Sequence, residues 1–272
     1  MTICFNKINV IITVLSLGLF SFLQPGCRRQ SVEDTSVSDA QRIRLKEISV
    51  QGMAASYLKC TYDERGFVTN MGYESGNFQY KIEYKDGRIC RMINNAFAEN
   101  DTLLYFYTGK NVSRIDWIVP GNGKRQELAL YYDTNNRLVQ LNFRKTSFNN
   151  IFKKMLFFYN SDNNMIRCEI YYDSGNGLLL TNTYLFEEFD NKKNVFPNEL
   201  LKEYHLYFLP QVKLQQNNSL SSRLLGIHND FVSRNNFQYD NNLPIKKTTI
   251  LKQTRGAGAG MIRTGTSLYH YY

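Results

Sequence analysis

At 272 residues and 43% hydrophobic content, the chain is long enough for one large folded domain and too apolar to be disordered. Its net charge of +9, from 33 basic and 24 acidic side chains, is spread one or two residues per segment. No run of five Lys/Arg and no basic-Gly-aromatic RNA-binding motif occurs, which argues against nucleic acid as a partner.

The first 26 residues read as a targeting segment rather than a fold element. Lys7 supplies a short basic region, and Ile8–Leu23 is an apolar run shorter than the roughly 20 residues a spanning helix needs. Gln24-Pro25-Gly26-Cys27 follows. In layout this resembles a bacterial lipoprotein signal, with Gly26-Cys27 at the cleavage box, while Gln24 and Pro25 depart from the usual residues and Leu23 lies one place upstream. The resemblance implies lipidation of Cys27 and attachment to a membrane through that lipid. Residues 27–42 are polar and rich in Ser and Asp, as a tether should be.

From residue 43 to residue 272 the sequence reads as one all-β domain. Aromatics make up 14%, with Tyr 19 and Phe 18 against Trp 1 and Pro 5, and they favour pleated, half-buried surfaces. A first strand is expected at Ile43–Val50 and a second from Ala55. Then one unit recurs: a strand, a tight turn opened by Tyr and Asp, and a return strand. The copies carry Tyr62-Asp63, Tyr84 with Asp86-Gly87, Tyr107 before Gly109, Tyr132-Asp133 and Tyr159-Asn160. Weaker copies lie at Tyr184–Val195, around Phe189-Asp190, and at Phe237–Ile250, around Tyr239-Asp240. The anchor aromatics fall at 62, 84, 107, 132, 159 and 189, a drifting period typical of a repeat architecture.

Tyr80–Ile93 shows the unit best. Tyr80, Ile82 and Tyr84 alternate with Lys81, Glu83 and Lys85, and Asp86-Gly87 is a strong two-residue turn signal. The Tyr is expected to cap the buried face with its hydroxyl at the wet edge, the Asp to accept turn amides, and Arg88, Arg114 and Arg137 to lay their stems over the sheet. Lone hairpins are marginal, so successive units must pair into a long antiparallel meander, a twisted or curled sheet. Leu103–Tyr107, Leu128–Tyr132 and Met155–Tyr159 are apolar at nearly every position, which predicts cover on both faces.

Residues 190–234 break the pattern and read as an irregular insertion. It holds a short helix candidate at Asn198–Tyr204, an apolar patch at Leu206–Leu209 and a polar loop at Gln215–Ser222. Such an insertion is either a lid over the sheet or a binding segment. Gln253–Gly265 is a Gly-rich turn, and Ser267–Tyr272 a closing strand.

The order of these motifs resembles the Tyr-Asp repeats of bacterial rearrangement-hotspot proteins, and more closely a group of Bacteroides lipoproteins built from serial Y-x-Y-D hairpins. The late step Phe189-Asp190-Asn191-Lys192-Lys193-Asn194-Val195-Phe196-Pro197 and the final Asn241-Asn242-Leu243-Pro244 carry the likeness, with Leu243 as the departure. It covers about residues 55–250. It implies an antiparallel β protein of the cell envelope and brings over no catalytic residue.

Little in the chain suggests chemistry. His205, His228 and His270 have no second ligand at metal spacing, and nucleophile-elbow and phosphate-cradling motifs are missing, so neither a metal nor a cofactor is expected. Glu187-Glu188 beside Asp190 is the densest acid cluster, but adjacent strand residues face opposite ways. Cys60, Cys90 and Cys168 read as small apolar strand residues, with a Cys60–Cys90 disulfide as the alternative. Asp101-Thr102-Leu103 resembles the acceptor of Bacteroides protein O-glycosylation and points to Thr102. The expectation is a non-enzymatic, outer-membrane-anchored module that binds glycan or another envelope protein, on the periplasmic face or at the cell surface. One alternative is a carrier of an apolar ligand, which requires a large apolar cavity. Another is a hydrolase, which requires two inward carboxylates in a cleft.

Overall fold

The computed structural model describes residues 44–73, 78–95, 101–119, 121, 123–145, 150–204, 206 and 209–272. Cys27, the targeting segment, the tether and His205 lie outside the described residues.

Sixteen strands run in chain order: β1 (Leu45–Val50), β2 (Leu58–Tyr62), β3 (Val68–Tyr73), β4 (Phe78–Lys85), β5 (Arg88–Asn94), β6 (Thr102–Thr108), β7 (Asn111–Val119) and β8 (Gly123–Tyr132). They continue as β9 (Leu138–Lys145), β10 (Ile151–Tyr159), β11 (Met165–Asp173), β12 (Leu178–Lys193), β13 (Asn217–Gly226), β14 (Asp230–Asp240), β15 (Leu243–Arg255) and β16 (Ile262–Tyr271). Each pairs antiparallel with the next, so the expected meander of hairpins is present. It does not stay an open or curled sheet. β16 pairs with β1, Ile48 opposite Tyr269, and the meander closes into a 16-strand barrel.

A bulge repeated once per hairpin accounts for the curl. Tyr62 faces Val68 while Thr61 faces Asn70, leaving Thr69 without an opposite number. The same shift leaves out Cys90, Ser113, Val139, Ile166 and Ile245, each the second or third residue of a return strand. Lys46 is skipped in the same way where β1 meets β16. A bulge bends its strand and increases local twist, so a series of them at one level rolls the sheet in one direction.

The turns follow their sequence signals. Asp86 and Gly87 both have positive φ (51° and 72°), as do Asn241 and Asn242 (46° and 65°), which is the type I′ pattern matched to strand twist. At Asp63, Asp133 and Asn160 a longer turn recurs. The side-chain oxygen accepts the backbone N–H four residues on, at 2.8–2.9 Å, and Gly66, Asn136 or Asn163 takes the left-handed position.

The core fills the barrel between β1 and β11. Ile82, Met92, Ile115, Leu128, Leu141, Met155 and Cys168 are buried on the inward face. The outward face of the same strands carries ion pairs such as Arg144–Glu127 and Arg167–Glu169. The strands expected to be covered on both faces are covered on one. Phe106 is 37% and Tyr131 43% exposed. The outward rings are screened instead by arginine planes, Arg114 over Phe106 (4.0 Å) and Arg167 over Phe158 (3.9 Å).

Residues 190–234 are more regular than expected. β12 runs through Lys193, so Tyr184–Val195 forms no hairpin and Phe189-Asp190 sits in a strand. Gln215–Ser222 is mostly β13 rather than loop, because its Ser-rich face pairs with β12 and β14. The irregular part, among the described residues, is 194–204, 206 and 209–216. It contains a 3-10 helix, Glu199–Tyr204, where the helix candidate was expected. Its Leu201, Leu206, Leu209, Val212 and Leu214 are buried in the same cluster as the inward strand residues. This segment is a plug inside the barrel, so the sheet both closes and is packed by the insertion. The Gly-rich segment narrows to a turn between Arg255 and Ile262.

Cys60 and Cys90 form no disulfide; both thiols are free, as is that of Cys168. β3 and β4 stand between β2 and β5, which places the two Cα atoms roughly 14 Å apart at about 4.8 Å per strand, too far for a bridge.

Candidate functional site

The anchor tyrosines place the site. Each donates its hydroxyl to a backbone carbonyl of the preceding hairpin: Tyr62 to Leu45, Tyr84 to Val68, Tyr107 to Ile89, Tyr132 to Val112 and Tyr159 to Leu138, all at 2.7–3.0 Å. Tyr271 does the same to Pro244 across the closing strands (2.7 Å). In all six cases the acceptor is the residue just before a bulge, whose neighbour has dropped out of the ladder. The hydroxyls are therefore not at a wet edge as the sequence suggested; they satisfy carbonyls that the bulges expose. Burial pushes the Tyr84 and Tyr107 phenols up to about 12. These tyrosines form a ring around one mouth of the barrel.

The ring is interrupted where β12 carries Phe189, which has no hydroxyl. There the plug takes over. Met165 donates its backbone N–H to the Leu214 carbonyl (2.8 Å), and Asn164 Oδ1 accepts the N–H groups of Gln216 and Asn217 at 2.8 and 2.9 Å. On the next hairpin Tyr239 donates to the Asp190 carboxylate, which also receives the Asn218 side chain (3.1 Å). Burial first, and that hydrogen bond second, raise the Tyr239 phenol. Tyr239 and Asp190 thus tie β14 to β12 where the motif is broken.

Three spaces open around the plug. The first is an apolar slot of about 520 Å3 at the tyrosine mouth, walled by Tyr62, Tyr84, Tyr107, Phe196, Leu209 and Pro210. Cys60 also lines it, and burial pushes that thiol up to about 12, away from the thiolate form a nucleophile requires. The second space, about 540 Å3, is a basic, Asn-rich shelf at the same rim, with Lys110, Asn111, Asn135, Asn163 and Lys213.

The third is a polar chamber of about 410 Å3 formed by β1, the plug and β12–β16. Here the wall changes character. Ser222, Ser233, Asn235, Thr249 and Ser267 present hydroxyls and an amide beside the rings of Phe186, Phe237 and Tyr269. Thr249 Oγ1 donates to Asn235 Oδ1 (2.8 Å), whose Nδ2 donates to the Ser219 carbonyl (2.9 Å). The chamber lining holds one acid, Glu199, paired with Lys247 at 3.1 Å.

The remaining predicted residues lie apart from these spaces. Thr102 opens β6, half-buried, opposite Ile93 and Ile118. Glu187 pairs with Arg223, and Glu188 is exposed. Asp240 pairs with Leu243 beside the Asn241-Asn242 turn. Among the described residues no cluster of His, Cys, Asp and Glu could hold a metal ion. The filled core counts against a ligand along the barrel axis, and the apolar space lies at the mouth.

Sequence reasoning missed the bulges and the carbonyls that the tyrosines serve. The signal was present as pairs of apolar residues three apart in return strands: Val68 and Met71, Ile89 and Met92, Val112 and Ile115, Leu138 and Leu141, Met165 and Cys168. All ten are buried. A spacing of three within a strand keeps both residues inward only if one residue between them is skipped. Lys153 was also missed. It is buried in the barrel, its Nζ donating to the Tyr172 hydroxyl (2.8 Å) and lying over the Phe143 ring.

Solved structures share this architecture. A porin-like protein from Bacteroides uniformis superposes with a TM-score of 0.57 at 12% identity, over 85% of this chain and 95% of that one. A porin-like protein from Bacteroides vulgatus gives 0.53 at 11%, over 85% and 99%. The barrel is a known fold. No protein-family model and no curated protein matches the chain, so its likeness to Tyr-Asp repeat lipoproteins rests on motif order alone.

Proposed function

We propose that this protein is a non-enzymatic binding module of the bacterial cell envelope, held to the membrane by a lipid on Cys27, with a neutral glycan as its ligand in the polar chamber. The envelope assignment draws on the targeting segment and on the porin-like barrels from two Bacteroides species. The barrel itself is read as a container and not as a membrane channel. Barrels that span a bilayer turn an apolar band outward and a polar lumen inward. Here β4–β11 do the reverse, with Leu, Ile and Met inside and Lys81–Glu83, Arg114–Asp116 and Arg144–Glu127 pairs outside. Each such Lys or Arg would cost about 2–4 kcal/mol facing lipid near the bilayer midplane.

The chamber carries the ligand assignment. Its hydroxyl and amide side chains match the hydrogen-bonding pattern of a sugar, and its rings offer faces for sugar C–H surfaces. Its one acid is already paired, so no net charge favours an ion. A hydrolase would need a second carboxylate beside Glu199, and the chamber wall has none.

A glycan array followed by calorimetry tests this reading. Saturable binding of a neutral oligosaccharide is expected, weakened about tenfold by Phe237→Ala through lost stacking. No binding on the array, or unchanged affinity in the variant, would refute it.

A further inference from the structure

We propose that the apolar slot and the basic shelf at the tyrosine mouth form one site for a single-chain amphiphile with an anionic headgroup. The two spaces are continuous in their walls: Lys110, Gln211, Val212 and Lys213 line both. A ligand filling the slot therefore emerges onto the shelf.

The slot suits an alkyl chain. Its volume of about 520 Å3 lies within the roughly 300–1,000 Å3 typical of ligand cavities. Its tyrosines present ring faces only, because the hydroxyls of Tyr62, Tyr84 and Tyr107 are committed to the carbonyls of Leu45, Val68 and Ile89. On the plug wall, Asn198 bonds the Val212 carbonyl (3.0 Å) and the Leu214 N–H (3.2 Å), and Asn194 Oδ1 accepts the Phe196 N–H (2.8 Å). An apolar tail entering here strands none of these paired groups, and burying it is favourable in proportion to its area.

The rim suits an anion. Neither lining contains an Asp or Glu, while Arg88, Lys110, Lys193, Lys213 and Arg137 all contribute to one or the other. Two of these charges are already engaged. Arg137 pairs with Asp133 (2.8 Å), and Arg88 donates to the Gly109 carbonyl (2.7 Å) over the Tyr107 ring. Lys110, Lys193 and Lys213 are exposed and pair with no carboxylate among the described residues. Asn111, Asn135 and Asn163 add amide donors around them. An uncharged lipid would leave this cationic rim without a counter-charge, whereas a carboxylate or phosphate headgroup supplies one.

Titration of the purified protein with the fluorescent fatty acid cis-parinaric acid tests the proposal. Saturable one-to-one binding is expected, displaced by palmitate and by lysophosphatidylglycerol but not by hexadecanol or inorganic phosphate at equal concentration. Lys110→Glu, Lys193→Glu and Lys213→Glu combined should weaken binding about tenfold and abolish the preference for charged competitors. The three positions are exposed, so the fold should tolerate the change. Pro210→Trp, which fills the slot from the plug side, should remove binding while leaving the melting curve near that of the parent. Phe237→Ala should bind parinarate normally, which separates this site from the glycan chamber. Absence of saturable binding, hexadecanol competing as well as palmitate, or parent affinity in both the charge-reversed and the Pro210→Trp proteins would overturn it.

Discussion

Tyr132→Phe isolates the role of the tyrosine ring, because it removes one oxygen and leaves the packing of the aromatic in place. The hydroxyl donates to the Val112 carbonyl at 2.8 Å, and Val112 is fully buried. Without the hydroxyl that carbonyl has lost both its ladder neighbour, skipped by the bulge at Ser113, and its substitute partner. A lost buried hydrogen bond with one partner left stranded costs about 1–2 kcal/mol. In a domain of this size that lowers Tm by roughly 2–4 °C for each kcal/mol. Tyr131, the next residue, is the natural control: it is outward and 43% exposed, so Tyr131→Phe should change stability by less than about 0.5 kcal/mol. Urea denaturation followed by circular dichroism would measure both. Equal midpoints for the two variants would refute the reading that the repeated Tyr serves a bulge-exposed carbonyl.

Two further outcomes depend on pH. The Tyr84 and Tyr107 phenols are held at about 12 against an ordinary 10.0, so the folded barrel keeps protons that the unfolded chain releases. Their contribution is complete below pH 10 and should be lost between pH 10 and 12, with tyrosinate absorbance rising together with unfolding; tyrosinate forming near pH 10 in a barrel that is still folded would contradict it. At the acid end, burial pulls the Asp133 carboxyl up, but the Arg137 backbone N–H, its guanidinium and the Asn135 N–H together hold it below its ordinary 3.8. Stability from Asp133 is therefore present above that value and fades as pH falls through the lowered one. Asp133→Asn, which copies the Asn160 turn, should flatten the acid limb of the stability curve and cost less than about 1 kcal/mol at neutral pH; an unchanged acid limb would show that the ion pair contributes nothing.

The local grammar was legible because it is local. Asp86-Gly87 and Asn241-Asn242 encode their turns through backbone preference alone, and alternation in Tyr80–Lys85 encodes a half-buried strand. The short helical turn at Glu199–Tyr204 was readable for the same reason. The site was less legible. Position 190 was expected to open an irregular insertion, yet β12 continues to Lys193, because its strand is held by β11 and β13 rather than by its own propensity. The slot, the shelf and the chamber are assembled from residues far apart in the chain, as far as Ile48 and Tyr269 in the chamber, and no spacing along the chain announces them.

By itself the sequence determined that this chain is a series of antiparallel hairpins, with a Tyr and an Asp or Asn at most turns and an interruption late in the series. Turn chemistry and two-residue periodicity act over a few neighbours and survive in any context. Only the tertiary structure decided that the series closes. The pairing of Leu45 with Tyr271 joins the two ends of the domain, and it depends on curvature summed over bulges that each shift register by one residue. Closure in turn decided which face became the interior, that the plug would fill it, and that the repeated tyrosine hydroxyl would meet a carbonyl on the hairpin before it instead of water.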